Sequence, residues 1–304
     1  MEVAKVGSLH KVVRPSYGGQ AVIEGVMIRG RELVVTAVRR GEDEVALRTK
    51  RFVPWASRWP ILKRPFLRGV VALVESLIIG LDALAFSASQ FAEEEEVSFS
   101  ARDLVLTLAL AFGLTVLLFI VFPALVARML SPYIASNLFL NLAEGAVKVA
   151  VFVLYILAIT LFPDIRRVFQ YHGAEHKTLN AYEAGEPLQV ERVRPYKTVH
   201  PRCGTNFILL VLLVSVFLFS FFGRPPFLER VLLHLAILPL VAGVSYEILK
   251  LAGKEDAPPF LRYLALPGLW LQYLTTREPD DGQIEVAIRS LSEVLKEEEK
   301  NVAG

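Results

Sequence analysis

Apolar residues along this chain gather into runs of two kinds, long ones with helical length and short ones with strand-like alternation. A bilayer core about 30 Å thick needs about 20 helical residues to cross it. Residues 104–127 meet this with 24 consecutive uncharged positions. Residues 141–162 form a second run, with Glu144 and Lys148 spaced i,i+4 in its first turns, where they can pair near the interface. Residues 203–223 are charge-free, and 231–253 hold Pro239 inside, His234 near the start and the pair Glu247 and Lys250 near the end. Four spans leave both termini on one side of the membrane. Residues 69–91 are also long and apolar, but Glu75, Asp82 and Ser89 recur every seven positions along one side of a helix. That stretch is read as an amphipathic helix on the membrane surface or against the bundle. Residues 260–274 are apolar, are expected to break at Pro267–Gly268, and carry Tyr263, Trp270 and Tyr273 suited to the headgroup region.

The pattern changes between 17 and 52. Residues 33–38 and 45–49 are β-branched or alternating, and Arg40-Gly41-Glu42-Asp43 between them has turn chemistry, so a small N-terminal sheet is expected. Gly18-Gly19 and Gly25 bracket Ala21-Val22-Ile23-Glu24, where the backbone either turns tightly or approaches another group closely. Residues 93–96 read as a solvated acidic linker. At the other end Asp280-Asp281-Gly282 followed by Gln283 to Glu299 reads as a capped amphipathic helix with Ile284, Ala287, Ile288, Leu291, Val294 and Leu295 on one face, expected to pack on the aqueous domain. The resulting fold class is a mainly α-helical polytopic membrane protein with four transmembrane helices and a cytoplasmic domain containing a small β-sheet. Its segments are 1–68 (β-rich), 69–103 (amphipathic helix and acidic linker), 104–162 and 203–253 (paired spans), 163–202 (cytoplasmic loop) and 254–304 (interfacial segment and C-terminal helix).

Composition sharpens this picture. The 304 residues are 54% hydrophobic and 21% charged, against roughly 45–50% and about 25% in soluble domains. Mean hydropathy is +0.46. These values exclude intrinsic disorder and collagen-like repeats, and the single cysteine, Cys203, excludes an internal disulfide. A net charge of +2 suits basic loops at an anionic lipid surface and not nucleic-acid binding. Lys and Arg number 15 before the first span and 7 in 163–202, but only Arg128 follows the first span, and Arg224 and Arg230 the third. The positive-inside rule therefore places the N-terminal segment, the middle loop and the C-terminal tail in the cytoplasm. The first 16 residues, with Glu2, Lys5, Lys11 and Arg14, lack the apolar core of a signal peptide.

Candidate chemistry concentrates in that middle loop. A helical signal from Asp164 to Ala184, stopping at Gly185, puts His172 and His176 on one face at i,i+4. The run His172-Gly173-Ala174-Glu175-His176 is an inverted zincin pattern, in which two imidazoles hold zinc and the glutamate activates water. Glu183 lies about 10 Å further along a straight helix, too far to share a metal with both histidines. The turn-forming stretch His200-Pro201-Arg202-Cys203-Gly204 supplies the remaining ligands, His200 and Cys203. An open fourth position would make the site catalytic, and closure by Cys203 structural. The competing explanation is that these side chains hydrogen-bond the loop to the spans and headgroups. His234 reads as an interhelical contact, and Glu24 is a further residue expected at the same face of the membrane as the histidines. No phosphate loop, nucleophile elbow or dinucleotide fingerprint is present, and no motif supports Cys203 as a nucleophile.

Four blocks then share a resemblance. Tyr17-Gly18-Gly19-Gln20-Ala21-Val22-Ile23-Glu24-Gly25-Val26-Met27, Tyr171-His172-Gly173-Ala174-Glu175-His176-Lys177, His200-Pro201-Arg202-Cys203-Gly204-Thr205 and Pro267-Gly268-Leu269-Trp270-Leu271-Gln272 closely resemble the signature blocks of the DUF1385 family of bacterial membrane proteins. The resemblance runs from 16 to 288 and implies an inner-membrane protein of unknown function, presumed to be a metal-dependent enzyme. The chain lacks the distant third-ligand glutamate of inverted zincins, so peptidase activity is not implied. The resulting expectation is a cytoplasmic zinc site of His172, His176, His200 and Cys203 with Glu175 as general base, performing hydrolysis at the bilayer surface. Two other functions stay open: an accessory factor binding a membrane-protein partner, with the histidines as a clasp, and metal transport.

Overall fold

The computed structural model describes residues 17–41, 44–95, 101–252 and 258–303, so the N-terminal 16 residues, Glu42, Asp43 and Glu96 lie outside the described residues. Four strands, β1 (Gly18–Val22), β2 (Gly25–Arg29), β3 (Leu33–Arg39) and β4 (Val45–Arg51), form an antiparallel meander in chain order. Eight main helices follow. They are α1 (Leu67–Glu95), α2 (101–130, joined through a π turn at Leu117–Val121), α3 (Asn137–Ile159), α4 (Pro163–Ala184), α5 (Gly204–Phe219), α6 (Phe227–Ala252), α7 (Pro259–Thr275) and α8 (Asp281–Ala303).

The sheet is the middle of three layers. Val26, Ile28, Val35 and Ala37 face α4 and α8, where Tyr171, Ala174, Leu179, Ile284, Leu291 and Val294 complete one core. Val22, Met27, Val34 and Val38 face the other way, onto Ile79 and Ala83 of α1. Because both faces are covered, β3 is buried from Leu33 to Val38 and reads as an apolar run without clean alternation. Helix α8 starts with a reciprocal cap: Asp280 Oδ1 accepts from Gln283 N–H at 2.8 Å while Gln283 Oε1 accepts from Asp280 N–H at 3.0 Å.

Four helices are long and apolar enough to cross a membrane: Leu67–Phe91, Val105–Leu130, Asn137–Ile159 and Phe227–Ala252. Helix α5, expected as a span over 203–223, is apolar but has 16 residues, about 24 Å. The stretch beyond it, with Gly223, Pro225 and Pro226, cannot extend the helix. The count matches the expectation, but α1 takes the place of α5.

Helix α1 meets the sheet side with acidic as well as apolar side chains. Glu75 accepts from Trp55 N–H at 2.6 Å and from Arg29 at 3.3 Å, and Asp82 pairs with Arg48 at 2.7 Å and Lys50 at 2.9 Å. These bonds lay the helix on the sheet, while Val74, Leu77, Ile78 and Leu81 stay exposed on the opposite side. Ser89, third in the seven-residue series, bonds the Phe86 carbonyl of its own helix. At its start α1 meets α6: a side chain at Gly69 would run into Tyr246, and Arg68 pairs with Glu247. That partner replaces Lys250, the one expected from spacing.

Helix α7 corrects a second expectation. It runs unbroken through Pro267, since apolar helices tolerate proline where neighbours re-satisfy the backbone. Gly268 is needed for packing: an added Cβ would sit 2.6 Å from Asn206 Oδ1 on α5. Trp270 and Tyr273 are exposed, and the side chain of Tyr263 lies outside the described residues.

Candidate metal centre beside a cavity

Helix α4 begins with Pro163 at its first position, carries Asp164 in the first turn and ends at Gly185 with φ 88°, a left-handed cap that glycine accommodates. Residues 186–203 then run back over the helix. Asn180 holds this strap by donating to the Lys197 and Val199 carbonyls at 2.9 and 3.0 Å, and Lys177 donates to the Arg194 carbonyl at 2.7 Å. Gly173 permits the close approach, since a Cβ there would collide with the Arg277 carbonyl and the Thr198 methyl.

Both α4 imidazoles are fixed in one tautomer. His172 Nδ1 lies 2.8 Å from the Thr275 carbonyl, and His176 Nδ1 lies 2.6 Å from the Thr198 carbonyl. A carbonyl only accepts, so each Nδ1 carries the proton and each Nε2 presents a lone pair. His172 Nε2 meets Cys203 Sγ at 3.2 Å, whereas His176 Nε2 is buried without a hydrogen-bond partner. One ligand atom from each of His172, His176 and Cys203 falls within 4.8 Å of the others. Burial pushes the His176 imidazole down, against the pull of Cys203, which favours the neutral ring a metal requires. Cys203 caps α5, its sulfur accepting from Thr205 N–H at 3.4 Å.

His200 stands apart from this convergence. Its ring is 5.7 Å from that of His176, and its Nε2 faces Glu183 Oε1 at 3.4 Å. The backbone causes this: Gln272 on α7 accepts from His200 N–H at 2.7 Å and donates to the His200 carbonyl at 2.9 Å. Glu183, also paired with Arg202, has its carboxyl raised by burial but lowered further by His200 and Arg202, to below the ordinary range.

Glu175 is buried one position before His176. Burial pushes its carboxyl up from the ordinary range, against His172, His200 and the Gly19 amide, and its Oε2 has no hydrogen-bond partner. Gly19 must be a glycine here, because a Cβ would lie 2.8 Å from the Glu175 carboxyl. Glu24 touches the turn before the histidines: at the β1–β2 turn with φ 48°, it pairs with Arg167 and accepts from Tyr171 at 3.1 Å. It positions α4 and does not enter the centre.

A cavity of about 730 Å³ opens beside these groups. His172, Glu175, His200, Arg202, Cys203 and Thr205 line one part of it, and Leu73, Leu77, Phe207, Ile208 and Leu249 line another. Sequence reasoning missed Gln272, Asn206 and the two carbonyls. Gln272 had a signal, since it ends the fourth resembling block, but backbone carbonyls leave none.

The family described as "Protein of unknown function (DUF1385)" matches residues 64–297. The chain is 38% identical over 305 residues to "Uncharacterized protein YqhQ" of Bacillus subtilis (strain 168), covering 95% of each chain. No solved structure matches. Neither printed description mentions a metal or an enzymatic activity, so these matches lend no support to the expected metal-dependent enzyme. A match over more than half the chain and a relative of this identity establish that the chain belongs to the DUF1385 family.

Proposed function

We propose that this protein is a membrane-surface hydrolase with a zinc centre formed by His172, His176 and Cys203. One observation carries the reading: two imidazoles, each locked by Nδ1–H onto a backbone carbonyl, turn their Nε2 lone pairs toward one thiol. Metal-ligating histidines almost always donate their other N–H in this way. Bonds of about 2.0–2.3 Å imply ligand separations of about 3.5 Å, which the 3.2 Å contact between His172 and Cys203 already approaches. Bound zinc would supply an acidified water and polarise a carbonyl. Glu175 would take the proton of that water on its unpartnered oxygen and return it to the leaving group. The Gly19 amide holds the carboxylate in place, and Gln272 fixes the turn that carries Cys203.

Membrane orientation follows from parity. The sheet, α4 and α8 share one core, so an even number of helices crosses between the sheet and α4, and again between α4 and α8. With α2 and α3 crossing, α1 stays on the sheet side. With α6 crossing and the short α5 assigned as its partner, in place of the longer α1 that the sheet holds, both termini join it, on the cytoplasmic side of a bacterial inner membrane by the distribution of Lys and Arg.

A clasp in an accessory factor is the second reading, favoured by the fact that the same contacts tie α4, the strap, α5 and α7 together. Metal transport is disfavoured, because Lys148 and Arg230 occupy the polar interior of the bundle. Elemental analysis of purified protein should find one zinc per chain, falling to background in the His172→Ala, His176→Ala double variant. Equally little metal in both would sink the centre. Glu175→Gln then separates the readings: function lost with metal and fold retained means catalysis, and unchanged function means a clasp.

A further inference from the structure

We infer that the cavity admits the acyl chain of a bilayer lipid, so that the proposed centre acts on an acyl-bearing amphiphile arriving from the membrane and not from the cytosol. This rests on the zinc reading for the reaction, but the binding of the chain stands on the cavity alone. Its volume of about 730 Å³ lies within the range of ligand pockets, about 300–1,000 Å³. Its lining is divided. Polar groups on α4 and the start of α5 form one part of it, where Arg202 is already paired with Glu183. Leu73 and Leu77 of α1, Phe207 and Ile208 of α5 and Leu249 of α6 form the other.

The apolar end is continuous with the surface that the fold leaves uncovered. Leu77 and Ile208 line the cavity yet are 56% and 50% exposed, which makes them the apolar side of its mouth, with Ser76, Arg202 and Gly204 exposed on the polar side. Around Leu77, α1 exposes Val74, Ile78 and Leu81 while its polar side is occupied by the sheet. An apolar stripe of this kind on a helix beside membrane spans belongs against acyl chains. The mouth therefore opens to lipid, between a surface helix and α5. Past Leu77 and Ile208 a lipid chain enters without leaving an apolar environment. Its head then lies at Glu175 and the His172–His176–Cys203 group.

The test uses the full-length protein in vesicles of phosphatidylethanolamine and phosphatidylglycerol containing a phosphatidylglycerol with a diazirine near the carbonyl end of one acyl chain. After irradiation, labelled residues are mapped by peptide mass spectrometry and metal content is measured on the same preparation. Label on Leu73, Phe169 and Phe207 should exceed that on lipid-facing Phe112 of α2 several-fold. In Leu77→Trp, Ile208→Trp, which fills the mouth, it should fall to the Phe112 level with metal content unchanged. Should that variant not fold, excess unlabelled lysophosphatidylglycerol added to the unaltered protein should remove the cavity label and leave the Phe112 label. Cavity label no stronger than at Phe112, or insensitive to both treatments, overturns the inference even if zinc is present. Specific cavity label in a preparation without zinc keeps the lipid site and removes the proposed centre.

Discussion

Two buried polar clusters sit in this molecule, one inside the helix bundle and one between α4 and α5, and they differ in how completely their atoms are paired. In the bundle, Arg230 of α6 donates to Glu144 of α3 at 2.6 Å and to Asn141, while Asn141 donates to the Phe219 and Phe222 carbonyls at 2.9 and 2.8 Å. Lys148 and His234 each approach Glu144 Oε1 at 3.0 Å. His234 also bonds the Arg230 carbonyl at 2.7 Å and stacks on Phe219 at 3.5 Å. Glu144 and Lys148 pair as their spacing predicts, but inside the bundle and not at its edge. None of these residues lines the described cavity. The histidine–cysteine cluster is different: Glu144 Oε1 makes no hydrogen bond but has Lys148 and His234 as ion-pair partners, whereas Glu175 Oε2 has neither, His176 Nε2 has only the Cys203 thiol beside it, and His172, Glu175 and Cys203 line open space. A buried charge network that answers its own charges holds helices together. One that leaves ligand atoms unanswered at a cavity wall is built to receive something.

The largest effect should come from opening the closed cluster. Glu144→Ala leaves Lys148 and Arg230 as buried cations without their shared carboxylate, a loss of about 3–5 kcal/mol for a broken buried pair. Thermal unfolding in detergent should show a collapse in stability, while the triple change Glu144→Leu, Lys148→Leu, Arg230→Met should retain most of it. Comparable stability of Glu144→Ala and the unaltered protein would show that this charge network does not hold the helices together.

Next in size is the response of the open cluster to the proposed zinc. Zinc at a hundredfold excess over its dissociation constant stabilises the folded state by about 2.7 kcal/mol. A chelator should therefore lower the unfolding temperature of the unaltered protein and leave that of Cys203→Ala where it already lies. Gln272→Leu probes the support: it releases the His200 backbone and the turn leading to Cys203. Zinc affinity should weaken by about tenfold to a hundredfold, as for other lost supporting contacts. Zinc affinity unchanged in Gln272→Leu, measured by competition with a chromogenic chelator, would separate the α7 clamp from the site.

How far each cluster could be read in advance depends on the range of its contacts. The i,i+4 pairs His172–His176 and Glu144–Lys148 follow from helical geometry, and so does the seven-residue series that gives α1 its polar side. The strands that accept that side, with Arg48 and Lys50, are separated from Asp82 by more than 30 residues, and no local pattern specifies them. Cys203 could be placed near the histidines because Pro201 and Gly204 force a turn. The direction of His200 could not, since it is set by Gln272, 72 residues away. Pro267 was read as a break from its local effect alone, whereas the packing of Gly268 on Asn206 carries α7 through it. The carbonyls of Thr198 and Thr275 that set the histidine tautomers have no side-chain signature at all.

The smallest effect lies at the contact that aligns the open cluster with the sheet. Burial pushes the Glu24 carboxyl up, but the Arg167 guanidinium and the Tyr171 hydroxyl outweigh it and hold the group below its ordinary value of 4.5. A carboxyl whose pKa is lower folded than unfolded contributes stability above the unfolded value, and loses it as pH falls through the folded one. Arg167 is 48% exposed, so solvent screening limits the pair to about 1 kcal/mol or less. Arg167→Ala should accordingly cost a small, constant increment from pH 7 down to about 4.5, narrowing further below as Glu24 protonates in the unaltered protein. Because Glu24 reaches α4 at Arg167 and Tyr171, just before His172, the same variant should weaken zinc binding slightly without abolishing it. A pH-independent difference between the two proteins down to pH 3, read from urea unfolding midpoints, would show that the ion pair is not what holds the turn to the helix.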